Sequence, residues 1–224
     1  MPLTRRQFVG RSGAAMIAGT MASSSVWGAN ERVNVAVIGC GGRGTSSHIN
    51  QFCGRPEVDL IALCDAKKGA AESSANTLDS QKKKKPKVYT DMRELLEDKS
   101  LDAVSIATPN HWHTLAAIWS MQAGKDVYLE KPCSHNVWEG RQLANAAKKY
   151  ERIIQHGTQI RSSAAIQEGI QKLKDGVIGE VYMARGLCYK TRRAVEKQPN
   201  EAPPADLDWN LWQGPAPERE YNKT

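Results

Sequence analysis

From Val33 to Gln155 the apolar residues fall into short β-branched blocks, separated by stretches with helical spacing. Segments 33–38, 58–65, 87–90, 103–107, 127–129 and 153–155 read as strands, and several are continuously apolar, as strands covered on both faces should be. Helices are predicted between them, over roughly 43–52, from beyond Asp65 to about 76, then 92–98, 111–122 and 136–150. Asp91 and Ser134 are the expected N-caps of the third and fifth helices, and Gly124 closes the fourth. Strand and helix in alternation predict an α/β fold, a doubly wound parallel sheet with helices on both faces. The strand order is not legible in the pattern. Beyond His156-Gly157-Thr158-Gln159 an amphipathic helix is expected near 164–175. The run 180–189 alternates, which predicts a strand with one packed and one open face. Residues 190–224 are rich in Pro, Asn and charge, and no stable order is expected of them.

The chemistry of the first strand lies at its end. Gly39, Gly41 and Gly44 fit G-x-G-x-x-G, with Gly42 and Arg43 inside the turn. The first glycine permits the tight turn, the second admits a pyrophosphate close to backbone, and the third lets the helix pack on the strand. The helix after the turn would direct its free N–H groups at phosphates. The plainer alternative is an ordinary tight strand-to-helix turn. Asp65 closes the second strand about twenty positions after Gly44, where a dinucleotide fold sets a ribose-binding carboxylate. Such a group repels a 2′-phosphate, so NAD is favoured over NADP, although Lys67 and Lys68 soften the repulsion. The alternative is that Asp65 caps the next helix.

Charge and cysteine usage narrow the field. The formal net charge is +7, but the excess is local, in Arg5, Arg6 and Arg11 and in the lysines from Lys82 to Lys87. No basic stripe extends over a folded surface, which argues against nucleic acid as a partner. The lysine run reads as a solvated loop. The five cysteines form no C-x-x-C pair, so neither a disulfide framework nor a metal site is expected. Thr4-Arg5-Arg6-Gln7-Phe8-Val9 and the Ala/Gly/Ser-rich stretch after it resemble a twin-arginine (Tat) export signal over 1–29. Export machinery is then a partner, the location is periplasmic or extracytoplasmic, and the cofactor is loaded before export. The alternative is a basic tail.

Taken in order, the glycine turn, Asp65, Thr108-Pro109-Asn110-His111-Trp112-His113, Glu130-Lys131-Pro132 and Asp208-Trp209-Asn210-Leu211-Trp212-Gln213-Gly214-Pro215 resemble the Gfo/Idh/MocA oxidoreductases, in particular Tat-exported bacterial members. The resemblance covers about 31–224, and Glu-Lys-Pro is its specific part. It implies a Rossmann-type NAD(P)-binding domain over 30–157 and the start of a substrate domain over 158–224, of which only the first helix and strand are expected. The activity implied is hydride transfer between a nicotinamide cofactor and a sugar- or inositol-like secondary alcohol. Alternatives are glycoside cleavage through transient oxidation, and a dinucleotide-binding module without catalysis.

The resemblance further implies that Lys131 handles the proton of the reacting hydroxyl, partly buried beside the nicotinamide. Glu130 would hold Lys131 and contact the cofactor, or form an ordinary ion pair. Thr108, Pro109, Asn110 and His113 would line the cofactor loop, while His111 reads as structural. Gln159 and Arg161 would face the substrate. Trp209 and Trp212 would pack between domains or stack on a sugar. Family members carry a further acid/base histidine that 179–224 does not supply, so the chain is expected to be an N-terminal fragment. A homo-oligomer is expected of the full-length protein.

Overall fold

The computed structural model describes residues 32–188, 190 and 197–223, and the twin-arginine segment at 1–29 lies outside them. Its strands are β1 (Val33–Ile38), β2 (Val58–Cys64), β3 (Lys87–Tyr89), β4 (Ala103–Ile106), β5 (Asp126–Glu130) and β6 (Ile154–Gly157). All pair in parallel, in the order β3-β2-β1-β4-β5-β6. Helix α1 is π-helical over Gly44–Ile49 and ends in one α-helical turn, Asn50–Phe52. It is followed by α2 (Lys68–Ser80), α3 (Met92–Leu96), α4 (Asn110–Gln122), α5 (Val137–Tyr150), α6 (Ala164–Lys174) and α7 (Trp209–Gln213).

The two faces of the sheet bury different cores. One face carries Ala36, Ile38, Ala62, Val104, Ile106, Val127 and Leu129 against α3, α4 and α5. The other sets Val37, Leu60 and Leu63 against Ile49 of α1 and Ala71, Ala75 and Leu78 of α2. Leu60 and Leu63 share a face because the register of β1 on β2 slips beside Ile61, Val35 facing Leu60 and Ala36 facing Ala62. Such a bulge shifts the alternation by one residue. Each fully buried Leu or Ile contributes roughly 1.5–3 kcal/mol of transfer free energy, so the central strands hold the sheet together.

This order reverses direction between β1 and β4. The loops after these strands lead to opposite faces and leave a crevice at their carboxyl ends. Gly39, at φ +93°, lies so near the loop after β4 that a Cβ would sit 2.6 Å from the Ala107 carbonyl carbon. A Cβ on Gly44 would come within 1.8 Å of Gly39 O. Gly41 has nothing within 4 Å in that direction, so its missing side chain opens the crevice and does not serve packing.

The helix ends follow local chemistry. Asp91 caps α3 through the Arg93 N–H, at 2.8 Å. For α5 the cap is Asn136 rather than Ser134. The Glu139 N–H donates to Asn136 Oδ1 and the Glu139 carboxylate takes the His135 N–H, each at 2.9 Å. This reciprocal pair uses the two positions next to the helix start, and Ser134 lies too far upstream to take part.

A second difference from expectation comes after α6. Residues 180–188 are exposed and pair with no strand among the described residues, so the predicted strand does not form a ladder. Its N–H and C=O groups lack a neighbour, and Val181, Met183 and Leu187 remain more than half or about half exposed. A lone strand buries nothing. The third difference is at 200–223, where order was not expected. Leu207 forms an antiparallel bridge with Lys67, and the Lys68 N–H donates to Asp206 O and the Asp208 N–H to Ala66 O, both at 2.9 Å. Helix α7 then docks on α4, with the Trp112 indole N–H donating to Leu211 O at 2.8 Å. Gly214 lies against the Trp112 ring, 2.1 Å from Cζ2 for a built Cβ. The segment borrows its order from the sheet rather than from a core of its own.

The glycines of the turn separate packing from opening. Gly44→Ala forces α1 away from β1 and is expected to cost about 3 kcal/mol or more in urea denaturation. Gly41→Ala meets no atom and changes stability by at most about 0.5 kcal/mol.

Candidate functional site

Two cavities adjoin along the carboxyl edge of the sheet. The larger, of about 620 Å³, runs from the glycine turn over β2 toward β3 and is lined by Gly39, Gly41, Asp65, Thr108 and Pro109. The smaller, of about 430 Å³, lies beyond β4 and β5 and is lined by Arg43, Asn110, His113, Glu130, Lys131 and Gln159. Ala107 and Thr108 belong to both.

Asp65 does not cap α2, whose N-cap is Lys67 without a side-chain cap bond. Its Oδ1 takes the Lys67 N–H at 2.8 Å, just before α2, and its Oδ2 takes the Cys40 N–H at 2.7 Å, inside the glycine turn. The carboxylate therefore locks the turn to the end of β2. Asp65 also lines the larger cavity. Cys40 is buried beside it, and burial followed by the Asp65 charge pushes its thiol up to about 12. A thiol held protonated is a small apolar filler.

At the other end, Glu130 is the centre of a buried polar cluster. Its side chain is 4% exposed. Oε1 receives the Arg43 Nε–H at 2.7 Å, the Gln159 amide at 2.7 Å and His48 Nε2 at 3.1 Å, while Oε2 receives the Lys131 N–H at 3.1 Å. Burial alone would raise the Glu130 carboxyl, but the Arg43 and His48 hydrogen bonds bring it below its ordinary value. Glu130 was expected to hold Lys131, and it does so through the backbone N–H. Its ion pair is with Arg43. The Lys131 side chain is exposed at the mouth of the smaller cavity rather than partly buried.

His48 is the residue that the sequence did not single out. It is 6% exposed, and Nδ1 lies 2.6 Å from Ser105 Oγ on β4. A carboxylate only accepts, so Nε2 carries the proton toward Glu130 and Nδ1 accepts from the Ser105 hydroxyl. Burial, ahead of the other effects, lowers its titration below the ordinary value. The π-helical geometry of α1 delivers the ring: the Asn50 N–H bonds five residues back to Thr45 O, which widens the turn. The ring also meets Tyr128 edge-on at 5.5 Å. The signal available was a histidine four residues past the last fingerprint glycine, and helical spacing alone would not have joined it to Glu130.

The remaining candidates divide. Thr108, Pro109 and Asn110 line the cavities as expected. Thr108 Oγ1 is buried without a hydrogen-bond partner among the described residues. Together with the open side of Gly41, that orphan hydroxyl fits a bound ligand along this edge. His113, 1% exposed, sits between Thr108 O and Pro132 O and ties the cofactor loop to the turn after β5. Gln159 reaches the smaller cavity, whereas Arg161 is exposed and lines neither cavity, as does Gly42. His111 bonds Trp212 O at 2.9 Å, a structural contact. Trp209 and Trp212 stack at 4.9 Å beside the larger cavity. Lys131, by contrast, lines the smaller cavity. No cluster able to hold a metal occurs among the described residues.

Residues 33–158 match the model of the Gfo/Idh/MocA oxidoreductases, described as an oxidoreductase family with an NAD-binding Rossmann fold. A glycosyl hydrolase family 109 protein of Shewanella sp. strain MR-4 is 33% identical over 155 residues, 67% of this chain and 34% of that protein. D-glucoside 3-dehydrogenase of Escherichia coli K12 is 27% identical over 157 residues, 69% of this chain and 43% of that protein. Among solved structures, myo-inositol dehydrogenase from Lactobacillus casei, in complex with NAD(H) and myo-inositol, superimposes with a TM-score of 0.59 at 26% identity. That match covers 66% of this chain and 43% of the other. The chain spans less than half the length of these relatives.

The buried pair makes stability depend on pH with a definite sign. Native burial lowers the titration of His48, so below about 6.5 the unfolded chain takes up a proton that the native site resists. Glu130 adds a further loss below about 4.5, where the unfolded carboxylate protonates first. Chemical denaturation across pH 4–7 is expected to show stability falling with acid in two stages, with His48→Gln removing only the upper one.

Proposed function

Because the chain belongs to the Gfo/Idh/MocA oxidoreductase family, we propose that it takes part in hydride transfer between NAD and a secondary alcohol of a carbohydrate- or inositol-like substrate. The observation that carries this reading is the Glu130 cluster, which fixes the backbone of Lys131 beside the smaller cavity. NAD, when bound, accepts the hydride from the alcohol carbon. The glycine turn and Asp65 hold its pyrophosphate and a ribose, and Asp65 disfavours a 2′-phosphate by charge. Thr108 and Asn110 flank the junction of the cavities, with the Thr108 hydroxyl free to bond a ligand.

Lys131 orients the reacting hydroxyl and takes its proton at Nζ as the carbon–hydrogen bond breaks. Glu130 does not react. With Arg43, His48 and Gln159 on it, the carboxylate is a fixed buried charge, and its Lys131 N–H contact aims the lysine. Gln159, itself held by Glu130, is the substrate-side residue nearest this point.

The likeness to a family 109 glycosyl hydrolase favours a second reading from the same first step. Hydride removal from a ring carbon acidifies the neighbouring C–H; loss of that proton expels the glycosidic group as the alcohol, water adds to the resulting enone at the anomeric carbon, and the hydride returns to the ketone carbon. The two readings share Lys131 and NAD and differ in net NADH. The leader-like sequence at 1–29 supports export by the Tat route with the cofactor already bound.

Two experiments test this. Titration calorimetry is expected to show NAD binding more tightly than NADP, with Asp65→Asn narrowing the difference. In a screen of inositols, glucosides and N-acetylgalactosaminides, NADH formation supports dehydrogenation, and glycoside release without NADH supports the second reading. Lys131→Ala is expected to lower either activity by about 10²-fold or more with NAD affinity unchanged. Full activity in that variant removes Lys131 from the mechanism.

A further inference from the structure

Residues of the segment from Pro204 to Lys223 line the larger cavity together with the glycine turn. Its inner surface includes Trp209, Leu211, Trp212 and Tyr221. We propose that this segment is the adenine-binding wall of the dinucleotide site, with Trp209 and Tyr221 as its aromatic surface. The inference rests on the NAD reading above and adds to it residues that the fingerprint does not contain.

Three observations carry it. The first is a shared cavity. Gly39, Gly41 and Asp65 line the same space as Trp209 and Tyr221, so whatever the turn and the carboxylate hold has the aromatic segment as its other boundary. The second is a shared anchor. The bridge of Leu207 to Lys67 and the Asp208 N–H bond to Ala66 O attach the segment directly beyond Asp65. Trp209 is the next residue, and Asp208 starts its helix by accepting the Leu211 N–H at 2.9 Å. The group expected to hold ribose and the Trp209 ring are therefore set by one short stretch of paired backbone.

The third observation is that the rings are preset. Trp209 stacks on Trp212 at 4.9 Å with 14° between planes, and Tyr221 meets it edge-on at 5.1 Å and 84°. The Trp209 indole N–H donates to Arg219 O at 2.8 Å, so its one polar group is satisfied and apolar ring surface is left for the cavity. Across the cavity lie Ala70 and Met92, small or apolar neighbours suited to a flat heteroaromatic ring. The smaller cavity has the opposite character, with Arg43, Glu130, Lys131 and Gln159. A dinucleotide has the same asymmetry: an apolar base at one end and the reacting, charge-changing ring at the other.

The test compares two halves of the cofactor by titration calorimetry on the full chain. ADP-ribose carries the adenine end, and nicotinamide mononucleotide carries only the other. Trp209→Ala is expected to weaken ADP-ribose by about tenfold, the loss of one aromatic stack on a base, with nicotinamide mononucleotide unchanged. Tyr221→Leu keeps an apolar side chain and serves as the second variant, checked for folding by circular dichroism, with a loss in the same direction. An unchanged ADP-ribose affinity in both folded variants overturns the proposal while leaving NAD binding intact. Equal weakening of both ligands also overturns it, because a general loosening of the fold then accounts for the effect. If the unaltered chain binds neither ligand, the NAD reading fails and the proposal fails with it.

Discussion

A carboxylate buried to the extent of Glu130 must be surrounded by donors or give up its charge. The structure satisfies it from four directions: Arg43 in the glycine turn, His48 on α1, Gln159 beyond β6, and the Lys131 backbone beside it. These contacts tie together elements that the sheet alone would hold only loosely. The glycine turn is connected to the end of β5 through Arg43, and the segment after β6 is connected to both through Gln159. Removal of any one donor leaves the same charge with fewer partners, so the cluster behaves as a unit. Its rigidity is what gives Lys131, an exposed and otherwise flexible side chain, a defined base.

The second constraint is topological. Placing β1 between β2 and β4 sends successive loops to opposite faces and opens the crevice where they part. The glycines are distributed around that crevice by need. Gly39 and Gly44 make contacts that no Cβ could share, while Gly41 simply leaves space. Packing fixes the walls and the absent Gly41 side chain leaves the opening, so fold stability and ligand access are separable at neighbouring residues.

Along the crevice the chemistry changes from aromatic to charged. At one end Trp209, Trp212 and Tyr221 form a ring cluster carried by a segment that borrows its order from β2 and α4. At the other end Arg43, Glu130 and Lys131 gather around the loop after β5. The two proposed readings, oxidation with net NADH and glycoside cleavage through transient oxidation, share the step in which hydride leaves the substrate.

Local chemistry was legible in the sequence and distant juxtaposition was not. Short β-branched blocks marked all six strands of the sheet, since a strand covered on both faces needs little else. Gly39, Gly41, Gly44 and Asp65 could be read as one unit because their spacing is set within a single strand-turn-helix-strand. Asp91 declared itself as a cap for the same local reason, while Asn136 was missed for Ser134 by two positions. Only the tertiary structure joined His48 to Ser105 and Glu130, which are 57 and 82 residues away, through a π-helical turn and a strand order that periodicity does not encode. It also turned the Pro- and charge-rich tail into an ordered wall, because that segment's hydrogen bonds are made with Ala66, Lys68 and Trp112, far back in the chain. Conversely, the clean alternation of 180–188 produced no ladder, because a strand's pattern states which face it would bury but cannot supply the neighbour that buries it.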